Sequence, residues 1–263
     1  METFAIYLAA GACAGFSAGL FGIGGGLIIV PALLFVFALQ GMPSNLAVHL
    51  AVGSSLATIV FNALSSMRAH WRLGNILWPV FRPLAAGLVV GALAGAQIAG
   101  ALPGDLLTGV FAVFVLATAV QIALGGTPKA HRGVPGRTGL ALAGGIVGAL
   151  SSLVGIGGGS LTVPYLIWRG VEMRRAVGTS AACGLPIALS GTIGFAVAGG
   201  SRAASLPAWS TGYIYWPAVG GMALASVVFA PLGARLASRL PQARLRTAFA
   251  LFLVVVGVRL LLE

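Results

Sequence analysis

The sequence predicts an all-α polytopic membrane protein built as two inverted repeats, each a re-entrant glycine-tipped helical hairpin plus three transmembrane helices. Three observations predict it. Hydrophobic residues make up 59% of the 263 positions and charged residues 7%, in recurring apolar runs that a soluble core does not need. A glycine turn is written twice: Phe21-Gly22-Ile23-Gly24-Gly25-Gly26 leads to Val30-Pro31, and at a constant offset Val154-Gly155-Ile156-Gly157-Gly158-Gly159 leads to Val163-Pro164. Thirteen of the fifteen Lys and Arg residues fall on one face if each turn is the tip of a hairpin.

The first apolar element lies near 4–21. Met1-Glu2-Thr3 has no basic region and no small-residue cleavage pattern follows, so this element reads as a retained helix. The second, near 27–39, starts at the glycines and carries Pro31, whose expected role is a structural kink. The third, near 47–67, contains Ala51-Val52-Gly53-Ser54-Ser55, which recurs as Ala176-Val177-Gly178-Thr179-Ser180. The fourth, near 76–101, begins around Gly74-Asn75-Ile76-Leu77-Trp78-Pro79, repeated as Gly212-Tyr213-Ile214-Tyr215-Trp216-Pro217. The fifth, near 106–124, follows Leu102-Pro103, which recurs as Leu240-Pro241.

Landmarks kept in order over a whole half indicate a duplicated architecture. The halves are 1–125 and 137–263, joined by a cytoplasmic linker at 126–136 rich in Gly, Pro and charge. The matching elements of the second half fall near 138–154, 160–168, 176–199, 212–237 and 245–262.

A crossing needs roughly 20 helical residues, and the second element of each half is too short. From Gly159 to Arg169 a helix rises only about 15 Å, so the chain must return to the face it came from, leaving the turn deep in the bilayer. A hairpin plus three crossings is odd in parity and turns the second half upside down. Only Arg202 and Arg259 then lie on the minor face, whereas a glycine break inside one crossing helix would divide the charges eight to seven. The basic face is expected to be cytoplasmic and both termini extracytoplasmic, in a bacterial-type inner membrane.

The net charge of +11 is accounted for by topology and anionic lipid, and no basic run interleaved with aromatics points to nucleic acid. Cys13 and Cys183 lie in apolar segments without CxxC spacing and read as buried, inert thiols. The acids Glu2, Asp105, Glu172 and Glu263 stand at element ends, so no carboxylate is placed to carry protons or sodium through the bilayer. The sequence holds no metal-ligand cluster, no GxSxG elbow and no acid pair, so neither catalytic residues nor a cofactor or metal is expected.

The chemistry is expected at the turns. The first turn of a helix carries unsatisfied N–H groups and the positive end of the macrodipole, and anions bind there. The candidate ligands are Gly22, Gly24, Gly25 and Gly26 in the first half, and Gly155, Gly157, Gly158, Gly159 and Ser160 in the second. Repeat-related Ser54, Ser55, Thr179 and Ser180, and the amide Asn62, are added as polar groups in crossing elements; Ser151 and Ser152 are similar. Thr162 and Ser160 follow the second turn where Leu27 and Ile29 follow the first, a lopsided polarity. His49 and His70 look interfacial. The competing explanation for the glycines is close helix packing, which suits Gly11, Gly15, Gly87 and Gly91; three consecutive glycines are a costly way to achieve it.

The two GIGGG turns followed by VP, the Ala-Val-Gly-Ser-Ser-Leu stretch, Ala69-His70 with Gly74 and Trp78, and the Gly-Ala and Leu-Pro pairs resemble the TauE/SafE sulfite exporter family over nearly the whole chain. The resemblance implies an inner-membrane permease for small sulfur-containing anions such as sulfite or organosulfonates, often exporters. Its partners would be a small anionic solute and the lipid bilayer, and a homo-oligomer is compatible with it. The first half departs at Leu27 and Ile29, so the halves need not contribute equally. Two other readings stay open, a membrane thiol-redox carrier using Cys13 and Cys183 and a non-transporting membrane scaffold.

Overall fold

The computed structural model describes residues 2–21, 25–124, 133–237 and 241–262. Gly22, Gly24, the larger part of the linker, Leu240 and Glu263 lie outside the described residues. The chain is all-helical apart from one small hairpin. In order the helices are α1 (Glu2–Phe21), α2 (Gly26–Leu39), α3 (Ser44–Arg72), α4 (Trp78–Ala101), α5 (Gly104–Leu124), α6 (Arg137–Val154), α7 (Gly159–Trp168), α8 (Met173–Ala198), α9 (Trp216–Ala237) and α10 (Gln242–Leu262). Six of them (α3, α4, α5, α6, α8 and α9) are long and apolar enough to cross a membrane. Helix α7, with 10 residues, rises about 15 Å and is not.

Helices α1 and α2 fold back on one another. The Tyr7 hydroxyl, near the start of α1, donates to Gln40 Oε1 at 2.7 Å just past the end of α2. Its ring meets Phe37 edge-on with centroids 6.2 Å apart. Gly25, just before α2, is therefore at the far end of a hairpin.

The halves are interleaved. Helix α1 runs parallel to α9, with Gly11 against Met222, Gly15 against Ser226 and Gly19 against Ala230. The repeat-equivalent pair, α6 with α4, runs parallel too: Gly144 meets Leu84, Gly148 meets Leu88, and Ala149 meets Gly95. In each pair the backbones touch where one partner lacks a side chain, the mode of packing that lipid-embedded helices favour because apolar area alone gives no preference for protein over lipid. Helices α3 and α8 occupy corresponding places in the two halves and pack antiparallel, Gly53 beside Phe195, Leu56 beside Gly191 and Ala63 beside Gly184.

Helix α3 is the centre of the molecule. Every residue from Ala47 to Ile59 is buried, the polar His49, Ser54, Ser55 and Thr58 included, so this segment is enclosed on all sides. The outward faces of the other helices carry exposed Leu, Val and Ile, among them Val90, Val113, Leu142, Ile193 and Val228.

Hydrogen bonds between the halves are reciprocal. Ser54 Oγ on α3 accepts the Tyr215 N–H at 2.9 Å, and Thr179 Oγ1 on α8 accepts the Leu77 N–H at 3.0 Å. Both donors precede a Trp-Pro pair that opens the fourth helix of their half. The fourth element of the second half was expected from 212, but α9 starts at Trp216. Residues before it form an antiparallel hairpin pairing Ser210 with Tyr215 and Thr211 with Ile214. Proline at the second helical position is compatible with a helix start, and the residue before a proline is held extended. The buried Tyr213 ring, stacked on His49 at 4.8 Å, pins this approach in place.

Candidate functional site

Helix α6 ends where Gly155 turns into the left-handed region, φ 75°, which a residue with a Cβ enters only at a cost. The Gly155 N–H bonds Ser152 O at 3.2 Å and the Ile156 N–H bonds Ser151 O at 2.8 Å. The amide of Gly155, expected to be a ligand group, is thus used to close its own helix. Three residues on, Gly158 has φ 76° and caps α7, with no side chain supplying a cap bond. Its carbonyl accepts from Leu161 at 3.1 Å and Thr162 at 2.7 Å. Among the described residues, no acceptor faces the N–H groups of Gly159 and Ser160.

The first half repeats this arrangement: Gly25, φ 78°, caps α2, and its carbonyl accepts from Ile28 and Ile29, each at 2.9 Å. The two turns touch. A Cβ on Gly26 would lie 2.8 Å from the Gly155 carbonyl oxygen and 2.8 Å from Ile156 Cα. That carbonyl is further fixed by Ser55, whose hydroxyl donates to it at 2.9 Å from α3.

Polarity divides unequally between the tips. Ser151, Ser152, Thr162 and Ser180 are buried, and none of their hydroxyls has a hydrogen-bond partner; the Ser160 hydroxyl is in the same position. Ser151 Oγ and Thr162 Oγ1 lie 3.7 and 3.4 Å from where a Gly158 Cβ would stand. Ser180 precedes by one turn Gly184, which faces the Gly157 carbonyl. Buried hydroxyls without partners are uncommon, since leaving one unpaired costs about 1–3 kcal/mol. Further unpaired hydroxyls are at Tyr165, farther along α7, and at Thr192, Ser210 and Tyr213 on other segments. At the first tip Leu27, Ile28, Ile29 and Val30 are all buried and apolar.

The other expected residues divide accordingly. Ser54, Ser55 and Thr179 hold backbone groups as described. Asn62 is beside the first tip, its Nδ2 4.0 Å from a Cβ on Gly25, and its Oδ1 receives the Ser226 hydroxyl at 3.4 Å. Its equivalent Ile187 packs against Gly158. His49, expected at an interface, is fully buried: Nδ1 is 2.9 Å from Asn45 O, and Nε2 is 3.1 Å from both Ala99 O and Leu102 O. It ties α3 to the end of α4, which no local pattern announces. Cys183 is buried as expected, but Cys13 is exposed on α1, because the inner side of that helix is taken by its glycine stripe. Among the described residues no Lys, Arg, Asp or Glu side chain is buried, and no group of His, Cys, Asp or Glu could hold a metal ion.

The arrangement can hold an anion by amides and hydroxyls at the end of a helix dipole. The family model described as Sulfite exporter TauE/SafE matches residues 7–260. A Haemophilus influenzae protein named "Probable membrane transporter protein" is 38% identical over the full length of both chains. A protein of the same description from Methanocaldococcus jannaschii is 29% identical over 94% of this chain and 91% of its own. One from Bacillus subtilis is 25% identical over 86% and 90% respectively. No solved structure matches the chain.

Proposed function

The chain belongs to the Sulfite exporter TauE/SafE family and is a multi-pass membrane transporter, and from that premise we propose that it carries a small sulfur oxyanion, sulfite or an organosulfonate, bound where the two glycine turns meet. The observation that carries this reading is the second turn itself. Free amides at the start of α7 stand beside buried hydroxyls that lack partners, at the point of contact between the halves. A cluster of donors in an apolar molecule is matched by a ligand with several acceptor oxygens and negative charge.

We further read the halves, 1–125 and 137–263, as inverted repeats in an inner membrane, with both termini extracytoplasmic. The antiparallel seating of α3 against α8 supports this, as do the reciprocal bonds from Ser54 and Thr179. Transport then requires the turns to part on alternate sides as the halves rock. An inside-negative potential contributes about 2.3 kcal/mol per charge per 100 mV toward anion efflux, so export needs no coupling ion.

The test is flux from vesicles reconstituted with the purified full chain and loaded with labelled sulfite or methanesulfonate. Saturable efflux that accelerates with an inside-negative potential is expected. Absence of flux with every sulfur oxyanion tried would overturn the reading.

A further inference from the structure

We propose that the second turn is a charge-selective site: it takes one singly charged oxyanion, held by the Ser151 and Thr162 hydroxyls with the Gly159 and Ser160 amides, and refuses doubly charged ones such as sulfate. The proposal rests on the transport reading above and goes past it by naming the side-chain donors and the charge rule.

Ser151 reaches the turn from α6 and Thr162 from α7 itself. Both are fully buried, both hydroxyls are unpartnered, and both oxygens stand within 4 Å of the same point beside Gly158, the N-cap of α7. A hydroxyl in a membrane helix ordinarily bonds the carbonyl one turn back, as Thr58 and Thr118 do here at 2.8 Å each. Ser151 and Thr162 forgo that bond. Two hydroxyls flanking the N-cap of α7, where Ile187 Cδ1 also packs, stand with the two free amides of its first turn, a donor set that suits the three oxygens of a sulfonate group. The first turn has Leu27 and Ile29 where the second has Ser160 and Thr162, so among the described residues these hydroxyls belong to the second turn alone.

No cation assists. The basic residue nearest in sequence, Arg169, is at the opposite end of α7, about 15 Å along the helix, with its guanidinium 4.4 Å from the Trp168 ring. Among the described residues no charged side chain is fully buried; Arg169 is half-buried, its Nε enclosed without a hydrogen-bond partner at that far end of α7. Stripping water from an ion costs an energy that rises with the square of its charge, whereas amides, hydroxyls and a helix dipole return an energy that rises only linearly. A site of dipoles alone therefore holds a monoanion and loses a dianion. Hydrogensulfite and alkanesulfonates satisfy it; sulfate and fully deprotonated sulfite do not.

The experiment uses reconstituted full-length protein, with methanesulfonate as the transported monoanion and sulfate as the competitor. Methanesulfonate flux is expected to be unchanged by a hundredfold excess of sulfate, and each turnover should move one negative charge. In Ser151→Ala and Thr162→Val, flux at low substrate should fall at least tenfold with membrane insertion retained, and Thr162→Ser should restore it. Equal competition by sulfate, or full activity in Thr162→Val, would overturn the charge rule and the donor assignment respectively while leaving transport standing. Loss of flux for all sulfur anions in the wild type would overturn the transport reading and this proposal with it.

Discussion

Substituting Gly159 with alanine separates folding from transport more cleanly than any other change at the turns. A Cβ there would meet nothing within 4 Å, and the residue does not need the left-handed region. In a helix alanine is more favourable than glycine by up to about 1 kcal/mol, so the variant should be as stable as the wild type or slightly more so. Its neighbour behaves oppositely. Alanine at Gly158 would hold a left-handed conformation at a cost of about 1–2 kcal/mol and push into Ile187, adding about 1–3 kcal/mol of crowding. The methyl group of Gly159→Ala enters the open space beside the first residue of α7, where the proposed solute would approach, and flux should drop at least tenfold; Gly159→Val should abolish it. Thermal unfolding of the purified protein and efflux from vesicles read the two effects separately. A Gly159→Val protein that is stable and transports at the wild-type rate would refute the idea that the solute occupies this space.

The reciprocal bonds between the halves predict matched losses: Ser54→Ala and Thr179→Val each strand a backbone N–H, should each cost about 1–3 kcal/mol, and should agree within about 1 kcal/mol in unfolding assays. Cys13→Ser and Cys183→Ala, separately and together, should retain flux, because one thiol is exposed on α1 and the other enclosed in α8; loss of flux in either would revive a redox role. Impermeant thiol labelling of single cysteines placed at Arg72 and Arg202, which lie at or just after the end of the third helix of their respective halves, should reach them from opposite sides of the membrane in a Cys-free background, and labelling of both from one side would refute the inverted arrangement.

Much of the framework was legible in the sequence because lipid enforces simple rules. Apolar length gave the helices, and a doubled motif gave two turns at corresponding places. The C-terminal ends of α2, α4, α5 and α7 fall where expected because glycine, proline or charge punctuates each. Trp216-Pro217 marks the late start of α9, but Gly212 to Tyr215 is apolar enough to pass for helix. The site was less legible. Ser54 and Ser151 are the same residue type in similar surroundings, yet the first accepts a backbone N–H from the other half and the second accepts nothing. That distinction depends on which segment lies opposite, which no local pattern encodes. The lopsided polarity, by contrast, was visible in Leu27 and Ile29 against Ser160 and Thr162.

The contact of Gly26 with Gly155 and Ile156 also bears on leakage. A cell energised by a proton gradient is harmed by any pore through which a file of water molecules can thread. Main chain pressed on main chain, with space for not even one methyl group between, is a seal without a swinging side chain to fail. Neither Gly26 nor Gly155 carries a side chain whose rotation could open this contact, so on the transport reading proposed above the two main-chain surfaces must themselves separate before a solute passes.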